Sequence, residues 1–100
     1  IYTVTSIYIG KNDGDLRNIN RYCWGYFLNI ERAQSAVINN ETDIYEEGYY
    51  PYAVIEEVRE GLLTIGCDDK KWWYKFNTTT NLFELCPKPN LKINVGRWAF

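Results

Sequence analysis

The sequence predicts an α+β domain, in which an antiparallel sheet of about five strands carries one main helix on one face. Three observations favour this class. Two segments rich in β-branched and aromatic residues lie near the start, a segment with helical spacing follows them, and further strand-like segments are separated by short turns. Because 100 residues can enclose one hydrophobic core but not two, we expect a single domain, residues 1–100, with the element order β-β-α-β-β-β.

The first two strands are predicted from the alternation of their side chains. Residues 2–9 are mostly β-branched or aromatic, and every second side chain falls on the same face, which is typical of a strand. Residues 10–15 form a polar loop whose Asp-Gly pair favours a tight reversal. We therefore expect residues 21–27 to pair back on the first strand, with Gly25 marking a bulge or a close packing contact.

A helix is predicted over residues 30–39. Asn29 is a favourable N-cap because its side-chain oxygen can accept a hydrogen bond from a free amide of the first turn. Apolar residues then recur at helical spacing, and two of them, Ala33 and Ala36, are small. The helix can therefore lie close against one face of the sheet.

The second half of the chain supplies the remaining strands. Residues 52–58 are the strongest candidate for a central strand, and residues 62–65 continue as a short one. Residues 71–76 and 82–85 are expected to form a hairpin around a polar turn. The prolines within residues 87–100 favour an irregular tail.

Charge and cysteine usage restrict the classes of partner. The net charge is −2 and both signs are dispersed along the chain, so no basic cluster is present that could bind duplex DNA. Cys23, Cys67 and Cys86 are too few and too widely spaced for the even disulfide framework of a small secreted domain. No apolar run is long enough to span a bilayer. We expect a cytoplasmic protein with reduced thiols that does not associate with membranes.

An enzyme is not expected. The chain has no histidine, the side chain most often used as an acid or base near neutral pH. It also lacks a CxxC pair and a glycine-rich phosphate loop. The adjacent side chains of Glu56 and Glu57 would point to opposite faces of a strand, so they could not act as one acid–base pair. We expect no catalytic residue, no metal and no cofactor.

The acidic stretch after the helix has two interpretations. Asp43, Glu46 and Glu47 could converge on one turn and, with Asp13 or Asp15 from another loop, hold a divalent cation through their oxygens. A solvated acidic turn is the simpler interpretation, and we prefer it.

The predicted central strand offers two candidates for a buried carboxylate. If Glu56 or Glu57 lies on the helix-covered face of the sheet, it must be paired or protonated, because a lone buried charge is costly. We expect an arginine to pair with it, and Arg21, Arg32 and Arg97 are the candidates.

The aromatic residues indicate binding. Nine Tyr, four Trp and four Phe give more ring surface than a core of this size can enclose, and exposed rings often mark binding surfaces. The predicted binding residues lie in two aromatic and charged segments: Tyr45, Tyr49, Tyr50, Lys70, Lys71, Trp72 and Trp73. Alternation places Trp72 and Tyr74 on one side of their strand and Trp73 on the other, so we expect one side to be core and the other to present rings beside the lysines. Tyrosines that cover the wet face of a sheet without binding anything are the competing interpretation.

Part of the chain resembles a known group of proteins. A Gly-Tyr-Phe motif at residues 25–27, an Asp-Ile-Tyr-Glu motif at residues 43–46 and a Tyr-Ala-Val-Ile-Glu-Glu motif at residues 52–57 carry the resemblance. They are similar in type and spacing to motifs of small, mostly uncharacterised proteins encoded by phages, prophages and gut metagenomes of Firmicutes-type bacteria. The resemblance covers residues 22–63, and the sequence departs from it by a longer loop at residues 10–20. It implies a mobile-element setting inside a bacterial host cell, and no catalytic residues are carried over from it.

Three functional hypotheses follow. The first is a phage-type accessory protein that binds and inhibits a host or bacterial-defence protein through an aromatic surface. The second is a nucleotide or signal-molecule binding protein, in which rings stack on a base and Lys70, Lys71 or Arg97 contacts phosphate. The third is a structural module that assembles with copies of itself, for example as a homodimer.

Overall fold

A computed structural model of the chain describes residues 1–9, 19–61 and 70–89. These residues form five strands, one α-helix and two short 3-10 turns. In chain order they are β1 (Tyr2–Ile9), β2 (Ile19–Phe27), α1 (Ile30–Ile38), 3-10 turns at Glu41–Asp43 and Glu46–Gly48, β3 (Tyr52–Glu57), β4 (Lys71–Asn77) and β5 (Leu82–Cys86). The predicted α+β class, with five antiparallel strands and one main helix in the order β-β-α-β-β-β, is confirmed. The predicted strand at 62–65 and most of the tail at 87–100 lie outside the described residues.

The strands do not follow the order of the chain across the sheet. Their spatial order is β2-β1-β3-β4-β5, and every neighbouring pair is antiparallel. β1 therefore lies between β2 and β3, where Val4 is opposite Gly25 on one side and Ile55 on the other. Within the described sheet, β2 and β5 are the two outer strands. This order decides which side chains are enclosed by neighbours on both sides.

Helix α1 covers one face of the sheet, which we call the helix side. The Asn29 side chain caps the helix as predicted, because its Oδ1 accepts a hydrogen bond from the Arg32 amide at 3.2 Å. Ala33 and Ala36 are buried, so the helix lies close to the strands. The core on this side is built from strand, helix and turn residues: Val4, Ala33, Val37, Ile44, Ala53, Ile55, Tyr74 and Phe83.

The opposite face of the central strands is also buried. Ile7, Val54 and Trp73 form a second apolar cluster there, and each is at most 4% exposed. Our expectation that one side of the Trp72–Tyr74 segment presents rings to solvent is therefore wrong for Trp73. Trp73 lies opposite Val54 on β3 and opposite Cys86 on β5, so neighbouring strands flank it on both sides.

A β-bulge interrupts the pairing of β1 with β2, as Gly25 had indicated. Val4 is opposite Gly25 and Thr5 is opposite Cys23, so Trp24 is the extra residue on the outer strand. Gly25 has a φ of +146°, a conformation that L side chains rarely adopt. The bulge fixes where the Trp24 side chain leaves the strand.

Glu56 of β3 is buried, but on the face of the sheet opposite α1, and its partner among the described residues is a lysine instead of the expected arginine. Glu56 is 1% exposed, and its carboxylate lies 3.4 Å from the Nζ of Lys71, directly across the strand pair. Among the described residues neither carboxylate oxygen accepts a hydrogen bond. Arg32 instead places its guanidinium over the ring of Phe27, and Arg97 lies outside the described residues.

Candidate functional site

The predicted site residues on and before β4 do not form one surface. Trp72 is half-buried and packs against the core on the helix side, whereas Trp73 faces the other way and is 4% exposed. Lys71 is paired with Glu56, while Lys70 is exposed. The strand alternation that places the two tryptophans on opposite faces thus separates the rings instead of combining them.

Only one of the three predicted tyrosines is exposed. The ring of Tyr45 lies 3.7 Å from that of Phe76 and belongs to the edge of the core. Tyr50 is 8% exposed, and Tyr49 is 45% exposed. Of the seven predicted residues, only Tyr49 and Lys70 are therefore exposed.

Exposed rings are concentrated on β2. Tyr22 is 54% exposed, Trp24 is 36% exposed and Tyr26 is 61% exposed. Tyr22 is opposite Ser6 and lies on the helix side, while Tyr26 is opposite Thr3 and lies on the other face. Sequence reasoning assigned these residues to a strand but did not select them. Their alternation was visible, but the position of their strand at an edge of the sheet was not.

Trp24 is held in a fixed orientation. Its Nε1 donates a hydrogen bond to the Ser6 hydroxyl at 2.8 Å, and that hydroxyl donates to the Ile44 carbonyl at 2.6 Å. The Tyr22 ring meets the indole edge-on at a centroid distance of 4.8 Å. The buried Ser6 side chain therefore ties the outer strand, its neighbour and the segment after α1 together, and it fixes the ring that the bulge exposes.

Tyr49 is held in a similar way. Its ring stacks on Tyr8 at 5.1 Å, and its hydroxyl accepts a hydrogen bond from the Asn20 side chain at 2.9 Å. Tyr50 meets it edge-on at 4.7 Å. An exposed ring that is already fixed loses little conformational freedom when a partner covers it.

The pKa of Tyr50 is affected by both Tyr22 and Tyr49, so the three tyrosines lie near one another. Burial raises the pKa of the Tyr50 phenol above its ordinary value, and the Glu46 carboxylate, followed by the phenols of Tyr49 and Tyr22 once they are ionised, raises it further. Residues from β2 and from the second 3-10 turn therefore lie close enough to influence one phenol.

The exposed rings are bordered by carboxylates. The two 3-10 turns carry four exposed acidic residues, Glu41, Asp43, Glu46 and Glu47. No lysine or arginine occurs between Arg32 and Arg59 in the sequence. We call Tyr22, Trp24 and Tyr49, with Glu41 and Glu46 beside them, the aromatic–acidic surface. These five residues carry two carboxylates and no positive charge, so they favour cationic groups.

The acidic turns also contain unusual backbone. Five non-glycine residues there have positive φ, namely Asn40, Thr42, Asp43, Glu46 and Glu47. This conformation is uncommon outside glycine, and for a β-branched residue such as Thr42 it is an outlier. Strain of this kind is often found at functional sites, where the surrounding structure maintains it.

A cation site is not supported within the part of the chain that the structure describes. No group of three or more Asp, Glu, Cys or His side chains is placed there to hold a metal ion. Asp13 and Asp15, the additional ligands of that alternative, lie outside this part. The acidic turns are exposed, as in the solvated interpretation.

Comparisons with protein-family models, with curated proteins and with solved structures return no match to this chain. Among residues 1–9, 19–61 and 70–89, no helix has the length and apolar character that crossing a bilayer requires.

Proposed function

We propose that this protein acts by binding a partner protein through the aromatic–acidic surface and that it catalyses no reaction. One observation carries the proposal. Tyr22, Trp24 and Tyr49 are exposed, yet each is held by a ring contact or a side-chain hydrogen bond. Tyr and Trp are enriched among the residues that contribute most to binding energy at protein interfaces. Fixed and exposed rings of this kind are suited to such a role.

The carboxylates indicate the chemistry of the partner. Glu41 and Glu46 lie beside the rings, and the acidic turns contain no positive residue that could neutralise them. A lysine or arginine of a partner could lie over a Tyr or Trp ring and near a carboxylate at the same time. Opposite charges would also accelerate association. We therefore propose a partner whose contacting surface is basic.

The biological role that we propose is that of a phage-type accessory protein in the cytoplasm of a bacterial host. Such a protein would bind a host or bacterial-defence protein and inhibit it by covering a basic functional surface. The resemblance of residues 22–63 to small phage- and prophage-encoded proteins supports this setting. A basic surface is also what a nucleic-acid-binding partner would offer.

The nucleotide-binding alternative has less support. It needs an exposed ring beside a free positive charge, but Trp73 is buried and Lys71 is paired with Glu56. The exposed rings instead lie beside Glu41 and Glu46, whose charges would repel phosphate. The homodimer alternative uses the same outer strand, β2, and the experiment below separates it from binding of a different protein.

Affinity capture from a bacterial lysate with matched variants tests the proposal. Tyr22→Ala/Tyr49→Ala removes two rings of the aromatic–acidic surface, and Leu82→Ala/Leu85→Ala removes two exposed apolar side chains from the opposite edge of the sheet. We expect the wild type and the Leu82/Leu85 variant to capture the same protein, and the tyrosine variant to bind it at least about 10-fold more weakly.

Equal capture by all three forms, or no specific partner for any of them, would remove the proposal. Light scattering of the purified wild type tests the homodimer alternative. A dimer that becomes a monomer in the tyrosine variant would assign the surface to self-association instead.

A further inference from the structure

A cavity of about 210 Å³ lies beside the aromatic–acidic surface. It is open to solvent on one side and is bounded by β1, by the bulged part of β2, by α1 and by the first 3-10 turn. Its lining residues are Val4, Trp24, Gly25, Tyr26, Phe27, Ala36, Glu41, Thr42 and Ile44. Cavities of about 150 Å³ can hold a benzene molecule, so this one has room for a single ring or a branched aliphatic side chain.

The cavity exists because two side chains are small at the place where sheet and helix face each other. A Cβ atom at Gly25 would meet no other atom within 4 Å, so that position leaves empty space opposite Val4. Ala36 contributes only a methyl group from the helix. Trp24 cannot turn inward to fill the space without losing its hydrogen bond to Ser6.

The wall of the cavity is apolar, and its rim carries one negative charge. Val4, Phe27 and Ile44 supply hydrocarbon, whereas the two residues from the 3-10 turn, Glu41 and Thr42, are exposed. Within the described residues, the Glu41 carboxylate forms no ion pair. A ligand that places an apolar group inside and a positive charge at the rim would match both features.

We infer that this cavity receives one apolar side chain of the basic partner, about the size of a phenyl ring, next to a lysine or arginine that meets Glu41. The inference rests on the proposed function and specifies which element of the partner is anchored. The Glu41 carboxylate at the rim favours a basic segment of a different protein, because a second copy of this chain has a net charge of −2. Binding energy at interfaces is commonly concentrated in one side chain that fills a preformed pocket.

Small probes test the cavity without the partner. We expect 2-phenylethylammonium to bind the wild type with a dissociation constant on the order of millimolar, as is usual for a ligand of this size. In a titration followed by NMR, the largest shifts should occur at the Trp24 indole N–H and at the amides of Gly25 and Ala36. The neutral 2-phenylethanol should bind about 2- to 5-fold more weakly, because an exposed ion pair contributes only modestly, and phenylacetate more weakly still.

Three variants test whether the probes bind in the cavity. Ala36→Leu fills the space from the helix and should abolish probe binding, whereas Ser35→Leu adds the same side chain at an exposed helix position and should leave binding unchanged. Glu41→Gln should retain the probe but remove the preference for the ammonium form. Circular dichroism and thermal melting establish that each variant is folded.

Probe binding that is absent in the wild type, or that survives Ala36→Leu, would overturn the inference. Partner capture by Ala36→Leu at wild-type strength would also overturn it while leaving the proposed function standing. Conversely, probe binding together with capture that is indifferent to Tyr22→Ala/Tyr49→Ala would refute the proposed function but not the cavity.

Discussion

Strands β2 and β4 carry four aromatic rings each, and three rings of each strand differ in their exposure to solvent. On β4 the consecutive rings at residues 72–74 are buried or half-buried, whereas Tyr22, Trp24 and Tyr26 on β2 are all exposed. Composition does not explain the difference. β4 lies between β3 and β5, while β2 is an outer strand with a bulge. The position of a strand in the sheet therefore decides whether its rings stabilise the fold or remain accessible to a partner.

The largest contrast is expected between a buried and an exposed ring. Trp73→Ala should lower the free energy of unfolding by about 3–5 kcal/mol, because it opens a large cavity in the second apolar cluster. Tyr26→Ala should change it by no more than about 0.5 kcal/mol, since that ring is mostly in water. Urea unfolding of both variants measures the difference, and similar losses would mean that the two strands do not differ as described.

The next largest difference in stability is expected between two adjacent lysines, Lys70 before β4 and Lys71 at its first position. Lys71→Met leaves the buried Glu56 carboxylate without its counter-ion, so we expect a loss of about 2 kcal/mol. Lys70→Met removes an exposed charge and should have an effect within about 0.5 kcal/mol. Combining Lys71→Met with Glu56→Gln should restore part of the loss in thermal melting. An additive or larger loss in the double variant would show that the ion pair is not the cause.

Removal of the Ser6 hydroxyl, which orients Trp24, should lower stability less than the Lys71→Met change does. It should also release the exposed Trp24 ring from its fixed orientation. Ser6→Ala removes the acceptor for the indole N–H and the donor to Ile44, which should lower stability by about 1–2 kcal/mol. The fluorescence anisotropy of the partly exposed indole should fall as the ring is released. Ser35→Ala on the exposed side of α1 is the control and should alter neither quantity. A well-folded Ser6→Ala protein with unchanged anisotropy would show that packing alone positions the ring.

Backbone conformation distinguishes Thr42 in the acidic turns from Thr79 in the hairpin between β4 and β5. Thr42 has a φ of +54°, so Thr42→Gly should raise the free energy of unfolding by about 1 kcal/mol, which thermal melting would detect. Thr79→Gly in the hairpin turn, at a position that does not itself have a positive φ, should lower it by about 0.5–1 kcal/mol instead. A loss at both positions would indicate that the positive φ of Thr42 is not strained.

The smallest expected effect is the loss of folding stability at alkaline pH that ionisation of Tyr74 causes. Burial raises the pKa of Tyr74 above its ordinary value of 10.0, and a hydrogen bond with Gln34 lowers it by less. The folded state therefore holds its proton at a pH where the unfolded state releases it, and stability falls as the pH rises above 10. At about pH 10.5 the loss from this group is at most about 0.8 kcal/mol. Tyr74→Phe should unfold with a smaller decrease between pH 9 and about pH 10.5, and an identical decrease would contradict the assignment.

Local features of the fold were predictable because they depend on neighbouring residues. The cap at Asn29, the bulge at Gly25 and the burial of Ala33 each follow from one residue type in one local pattern. Alternation also placed Trp72 and Trp73 on opposite faces correctly.

The surface was less predictable because it depends on strand order and on long-range contacts. Nothing near Trp73 in the sequence indicates that β4 has a neighbour on each side, and nothing near Tyr22 indicates that β2 is an outer strand. The pairing of Glu56 with Lys71 likewise depends on the register between β3 and β4. The positive φ of Thr42 breaks the local preference of its residue type, so no pattern in the sequence predicts it.

The most direct test of this account measures which rings a small dye can reach in solution. Photochemically induced nuclear polarisation with a flavin dye enhances the NMR signals of accessible tyrosine and tryptophan rings. We predict enhanced signals from Tyr22, Trp24 and Tyr49 and none from Trp73 and Tyr74. Enhancement of the β4 rings, with the β2 rings silent, would contradict both the assignment of the exposed surface and the function that we propose for it.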